Sequence, residues 1–290
     1  MKIYRLFFVL LLCAFGACTH SPSLPQKPIV LVSLPPYMGL VESIAQDKVD
    51  VVSLTPEKAN PHLYEPSPKQ LQQALTAKLW IRINEPFERK LLTLFKEKTA
   101  NMHIVNLSDK MELLSPCCEH DHHHHSEEEK DFHIWLSPRL LQSQIQEICE
   151  ALSEVAPEHK DLFTKNTQIL LGEVRDLDSS ISGLLSPLSN KSILVSHPAF
   201  SYFCKDYGLT QYSTEIEGKD PLPRDITHLL EKTKRSPPRI ALLQTQYNNK
   251  GTEIIARDLQ IPTFTIDPYQ KDVLQTLRQI TYFLAEADDS

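Results

Sequence analysis

Short apolar, β-branched runs alternate with amphipathic stretches along most of this chain. Ile29 to Ser33 (IVLVS), Val49 to Leu54, Leu79 to Ile83 (LWIRI) and His103 to Leu107 (HIVNL) each read as a strand buried on both faces. Between them, helices are predicted over Tyr37 to Asp47, from the Ser67-Pro68 cap to about Ala77, and over Phe87 to Lys98. Ser137 and Pro138 mark the start of another, reaching Leu152. The rhythm then breaks. From Pro157 to about Leu188, Phe163, Leu170, Val174, Leu177, Ile181, Leu184 and Leu188 form one apolar stripe at helical spacing. That predicts a single helix of about 30 residues, roughly 45 Å long, with Gly172 and Gly183 as weak points. Beyond it the alternation restarts. Strands are expected at Ser192 to Val195, Ile240 to Leu243 and Thr263 to Ile266. Helices are expected after His197 (to about Asp206, with Gly208 past its end), at Asp225 to Thr233, at Lys250 to Leu259 and at Lys271 to Leu284.

Strand and helix alternating at this spacing imply α/β lobes with parallel sheets. The expected organisation is an N-terminal lobe over 29–156, a linking helix over 157–188 and a C-terminal lobe over 189–290.

Composition refines this picture. Net charge is −7 and no long Lys/Arg run occurs, which argues against a nucleic-acid partner. Only seven glycines are present, and phosphate-cradling strings are missing. Residues 1–17 read as a targeting segment: Lys2 and Arg5 precede an apolar core from Leu6 to Phe15. Gly16-Ala17-Cys18 resembles the lipobox of bacterial lipoproteins, with Phe15 where leucine is usual. Cys18 is thus the expected lipidation site and 18–28 a Ser/Pro-rich tether, leaving the protein outside the cytoplasmic membrane and anchored to it. Export permits disulfides, but Cys117, Cys118, Cys149 and Cys204 allow three pairings.

Histidines carry the candidate chemistry. Six of twelve lie between Glu119 and Pro138. His120, His122, His123, His124 and His125 sit in the acidic loop 117–130, which lacks apolar periodicity and reads as an auxiliary metal-capturing tract without fixed geometry. His133 differs, standing directly ahead of a helix start. His62, His197 and Asp267 also fall in loops beside strands or helices, and strand carboxyl ends are where open α/β sheets bind ligands. Prolines 61, 198 and 268 flank these three. A residue ahead of proline is kept on extended backbone. Three imidazoles and one carboxylate form an N3O set that suits tetrahedral Zn²⁺.

Four segments, Asn60-Pro61-His62-Leu63-Tyr64-Glu65-Pro66, Asp131 to Pro138, Ser196 to Phe203 and Thr265-Ile266-Asp267-Pro268, resemble in order the motifs of metal-binding solute-binding proteins of ABC importers. Phe132 departs from that pattern, where proline commonly precedes the histidine. The resemblance implies two α/β lobes, a rigid linking helix and one ion between the lobes, held by His62, His133, His197 and Asp267. It further implies a monomeric binding protein without catalysis, with a membrane permease as partner. Imidazole favours Zn²⁺, with Mn²⁺ or Fe²⁺ as alternatives should Asp267 bind through both oxygens. The rival reading, a zinc hydrolase, requires an open coordination position and a general base, and no HExxH string is present. An exported metal buffer or adhesin is the third reading.

Overall fold

The structure, a computed structural model, describes residues 27–99, 101–115, 130–215 and 219–287. The expected targeting segment, Cys18, Cys117 and Cys118 lie outside the described residues. So does the whole expected metal-capturing tract: His120, His122, His123, His124 and His125.

Two four-stranded parallel sheets form the frame. The first comprises β1 (Ile29–Val32), β2 (Asp50–Ser53), β3 (Leu79–Arg82) and β4 (His103–Asn106), in the order β2-β1-β3-β4. The second comprises β5 (Ser192–Val195), β6 (Thr210–Ser213), β7 (Ile240–Gln244) and β8 (Thr263–Ile266), in the same relative order, β6-β5-β7-β8. The helices are α1 (Pro35–Ala45), α2 (Pro68–Ala74), α3 (Pro86–Lys98), α4 (Pro138–Val155), α5 (Lys160–Leu185), α6 (Ser201–Tyr207), α7 (Pro223–Arg235), α8 (Lys250–Leu259) and α9 (Val273–Glu286). None is long and apolar enough to cross a membrane, among the described residues.

Several starts follow from local chemistry. Pro35 opens α1, although the sequence suggests that the proline pair delays the helix to Tyr37; proline's fixed φ suits a first turn, whose N–H has no partner anyway. Ser67 caps α2 in a reciprocal box with Gln70, and Ser137 Oγ accepts from Leu140 N at 3.1 Å to start α4. Gly208 ends α6 at φ +69°, the left-handed conformation that glycine adopts without strain. Strand β6 has no counterpart among the expected strands. Its sequence, TQYS, is short and has no buried residue, so no apolar run announces it.

The linking helix is α5, preceded by a 3-10 turn at Pro157–His159 and unbroken through Gly172 and Gly183. Its buried stripe holds Phe163, Leu170, Val174, Leu177 and Ile181 as expected, but Leu185 replaces Leu184, which is 49% exposed. At about 100° per residue, Leu185 lies directly in line with the buried Thr167 five turns earlier, whereas Leu184 falls on the far edge of the buried face.

Burial explains why the lobes stay together. Alternate strand residues face opposite sides of each sheet. Leu31 and Trp80 face an outer core with Phe95, and Leu194 and Ala241 face another with Ile255. Val30, Val32, Ile81, Ile193, Val195 and Leu242 all face inward, into one continuous core that also takes α1, α4, α5, α6 and α9. Polar ties reinforce it: Asn166 Nδ2 donates to Ile44 O (2.8 Å), Trp135 Nε1 to Pro268 O (2.9 Å) and Tyr202 OH to Asp131 O (2.7 Å). Gly39 of α1 packs so closely on the Lys271 carbonyl that a methyl group there would collide with it. Gly39→Ala is therefore expected to destabilise the fold by about 1–3 kcal/mol, read as a lower denaturant midpoint. An unchanged midpoint would show that the two lobes separate freely at this contact.

Candidate metal centre

Three imidazoles from separate loops meet between the sheets. His62 comes from the β2–α2 loop, His133 from the turn ahead of α4, and His197 from the end of β5. His62 Nε2 lies 3.2 Å from His197 Nε2, which lies 3.2 Å from His133 Nε2. All three ligand atoms lie within 4.8 Å of one another. His133 and His197 are buried, whereas His62 is partly exposed.

Each ring is backed by a carboxylate on its other nitrogen. His133 Nδ1 stands 2.8 Å from Asp131 Oδ1, His197 Nδ1 2.9 Å from Glu215 Oε1, and His62 Nδ1 3.4 Å from Glu85 Oε2. At His133 and His197 an acceptor at hydrogen-bond distance keeps the proton on Nδ1 and turns the Nε2 lone pair toward the centre, the arrangement common behind metal-bound histidines, whereas Glu85 acts on His62 from 3.4 Å by its charge.

The backbone around each ring is fixed as well. Gln144, fully buried on α4, donates to Ile134 O (3.1 Å) and accepts from Tyr37 OH (2.7 Å), pinning the turn beside His133. His197 N donates to Gln244 Oε1 (2.6 Å), and the His197 ring stacks on Tyr247 with centroids 4.2 Å apart and planes 3° from parallel. Asn84, in the left-handed region that asparagine tolerates (φ 74°), turns the chain after β3 and sets Glu85 at the head of α3. Glu88 holds that turn by accepting from Asn84 N at 2.6 Å.

Burial and charge set the titration of these groups. Burial alone would lower the His62 ring, but the Glu85 carboxylate outweighs it and raises the ring above the ordinary imidazole value. Burial would likewise raise Glu85, yet His62 holds it below the usual carboxylate range. His197 is pushed well down by burial and by the two neighbouring rings, so it stays neutral. Burial raises Glu215 to about 7.

Asp267 does not join the cluster. Its Oδ1 accepts from Gln246 Nε2 (2.7 Å) and from Tyr269 N (2.8 Å), bracing the loop after β8. Tyr269 reaches the centre instead. Its hydroxyl lies 3.0 Å from His133 Nε2, 3.4 Å from His62 Nε2 and 2.8 Å from Tyr247 OH. Sequence reading singles out neither Tyr269 nor the carboxylates Glu85, Asp131 and Glu215 as site residues. The available signal is placement for two of them, since Glu85 follows β3 and Tyr269 follows β8; Glu215 follows β6, which no apolar run announces.

The family model described as zinc-uptake complex component A, periplasmic, matches residues 30–285. The chain belongs to this family. That makes it a metal-binding solute-binding protein of the ABC-importer type. A protein of Chlamydia muridarum described as metal-binding is 33% identical over 282 residues, spanning 96% of this chain and 98% of the relative. The high-affinity zinc uptake system protein ZnuA of Bacillus subtilis is 26% identical, spanning 94% and 88%. A crystal structure of ZnuA superposes with a TM-score of 0.82 at 29% identity, covering 90% of this chain and 99% of that one. The two-lobe architecture is common to both structures.

If Glu85 is what raises the His62 ring, Glu85→Gln should let that ring lose its proton at lower pH, read by NMR titration of its ring protons. An unchanged titration would mean that the longer-range Glu215 and Asp131 charges set it instead.

Proposed function

We propose that the protein captures one divalent transition-metal ion, zinc by preference, between its lobes and delivers it to the membrane permease of an ABC importer. The observation that carries this reading is the convergence of three Nε2 atoms, on rings each backed by a carboxylate at Nδ1. Three neutral imidazoles suit Zn²⁺ better than Mn²⁺ or Fe²⁺, which take more oxygen. Zinc here is cargo. The carboxylates behind the rings offset the charge that the cation brings into a buried site.

The proposal includes an extracytoplasmic protein, monomeric and anchored through lipid on Cys18. His120, His122, His123, His124 and His125 serve as an auxiliary metal-capturing tract. Family membership supports both the location and the permease partner.

The test is metal analysis of protein purified without added metal, then titration of the apo protein. His62→Ala, His133→Ala and His197→Ala should each lose the single stoichiometric ion, and removal of residues 119–129 should leave it in place. Retention of the ion in the three alanine variants would refute the site. Protons compete for the same lone pairs. Because His62 titrates above the ordinary imidazole value of about 6.5, zinc affinity should already be falling before the pH drops to that value. Affinity should be clearly weaker at pH 5.5 than at pH 7.5, and equal affinity at both would count against histidine ligation.

A further inference from the structure

The three nitrogens leave one vertex of a tetrahedron to fill. Zinc bonds of about 2.0–2.1 Å place the four donors of a regular tetrahedron roughly 3.3–3.4 Å apart. The two His–His contacts through His197 measure 3.2 Å each. Tyr269 OH lies 3.0 Å from His133 Nε2 and 3.4 Å from His62 Nε2. Four of the six separations among these donor atoms thus lie near the edge length of a zinc tetrahedron, and the phenol oxygen contributes two of them.

We infer that Tyr269, rather than Asp267, supplies the fourth ligand, and that this oxygen biases the site toward four-coordinate zinc. The inference rests on the reading of His62, His133 and His197 as ligands of one ion.

Three further features support it. Tyr269 is 2% exposed, so its hydroxyl cannot turn to solvent. The ring is locked from behind by Trp135, at a centroid distance of 5.4 Å, while Tyr247 OH meets its hydroxyl at 2.8 Å. Asp267 already holds the Tyr269 backbone N–H and the Gln246 amide through Oδ1, a supporting role that keeps the tyrosine loop in place. A phenol oxygen binds through one atom. A carboxylate can bind through two and so admit the higher coordination numbers that hard, oxygen-preferring ions adopt. Burial pushes the Tyr269 phenol well above its ordinary range, so its proton leaves, to bulk water, only as the oxygen coordinates the cation as phenolate.

The experiment is zinc titration of the apo protein with near-ultraviolet difference absorption, run on the parent, Tyr269→Phe, Asp267→Asn and, as a control at an exposed tyrosine, Tyr282→Phe. The parent and Tyr282→Phe should show the band of an ionised tyrosine growing to one equivalent of zinc, and Tyr269→Phe should show none. Zinc affinity of Tyr269→Phe should fall by at least about tenfold, the low end of what loss of an outer partner costs a metal site. Asp267→Asn, which keeps an oxygen acceptor for the Tyr269 N–H, should retain both band and affinity. A parent that binds zinc without the band, or an Asp267→Asn variant weakened while Tyr269→Phe binds normally, overturns the assignment of Tyr269 and leaves the histidine site standing. A parent that binds no zinc overturns both.

Discussion

The close approach of three imidazole Nε2 atoms between the lobes is the constraint on which the site depends. Contacts of 3.2 Å between rings from three separate loops require each ring to be held in place. Here the restraint is a carboxylate behind each ring, together with backbone that is itself fixed. A cation between the three nitrogens would offset the negative charge of those carboxylates, and rings restrained in this way leave less ordering cost for the binding step.

The shared core extends that restraint to the lobes. His62 and His133 belong to the N-terminal lobe and His197 to the C-terminal one, so the triad exists only while the sheets keep their relative position. One hydrophobic cluster running through α5 into both lobes enforces this, and the Trp135–Pro268 and Tyr202–Asp131 hydrogen bonds cross between the lobes on either side of His133. His62 is the exposed ring of the three, and its loop carries Leu63 at 79% exposure.

Much of this was legible in the sequence. Apolar runs of β-branched residues marked seven of the eight strands, and the stripe from Phe163 to Ile181 marked the linking helix. His62, His133 and His197 could be singled out because a strand end or helix start beside proline is a local feature. What escaped depends on contacts distant along the chain. Glu85 faces His62 because β2 and β3 lie in one sheet, and Tyr269 faces His133 because the two sheets are stacked across a common core; no spacing rule reports either. Asp267 illustrates the converse. Its position before Pro268 suggested a ligand, but the same short side chain serves the turn by accepting the N–H two residues on. Strand β6 was invisible because its pairing with β5, not its own sequence, makes it a strand.

The most direct test of the central claim is the zinc K-edge X-ray absorption spectrum of the loaded protein. Three imidazole shells with nitrogen at about 2.0–2.1 Å are expected, with no sulfur in the first shell. Fewer than three imidazoles, or sulfur at the longer distance of about 2.3 Å, would contradict the account.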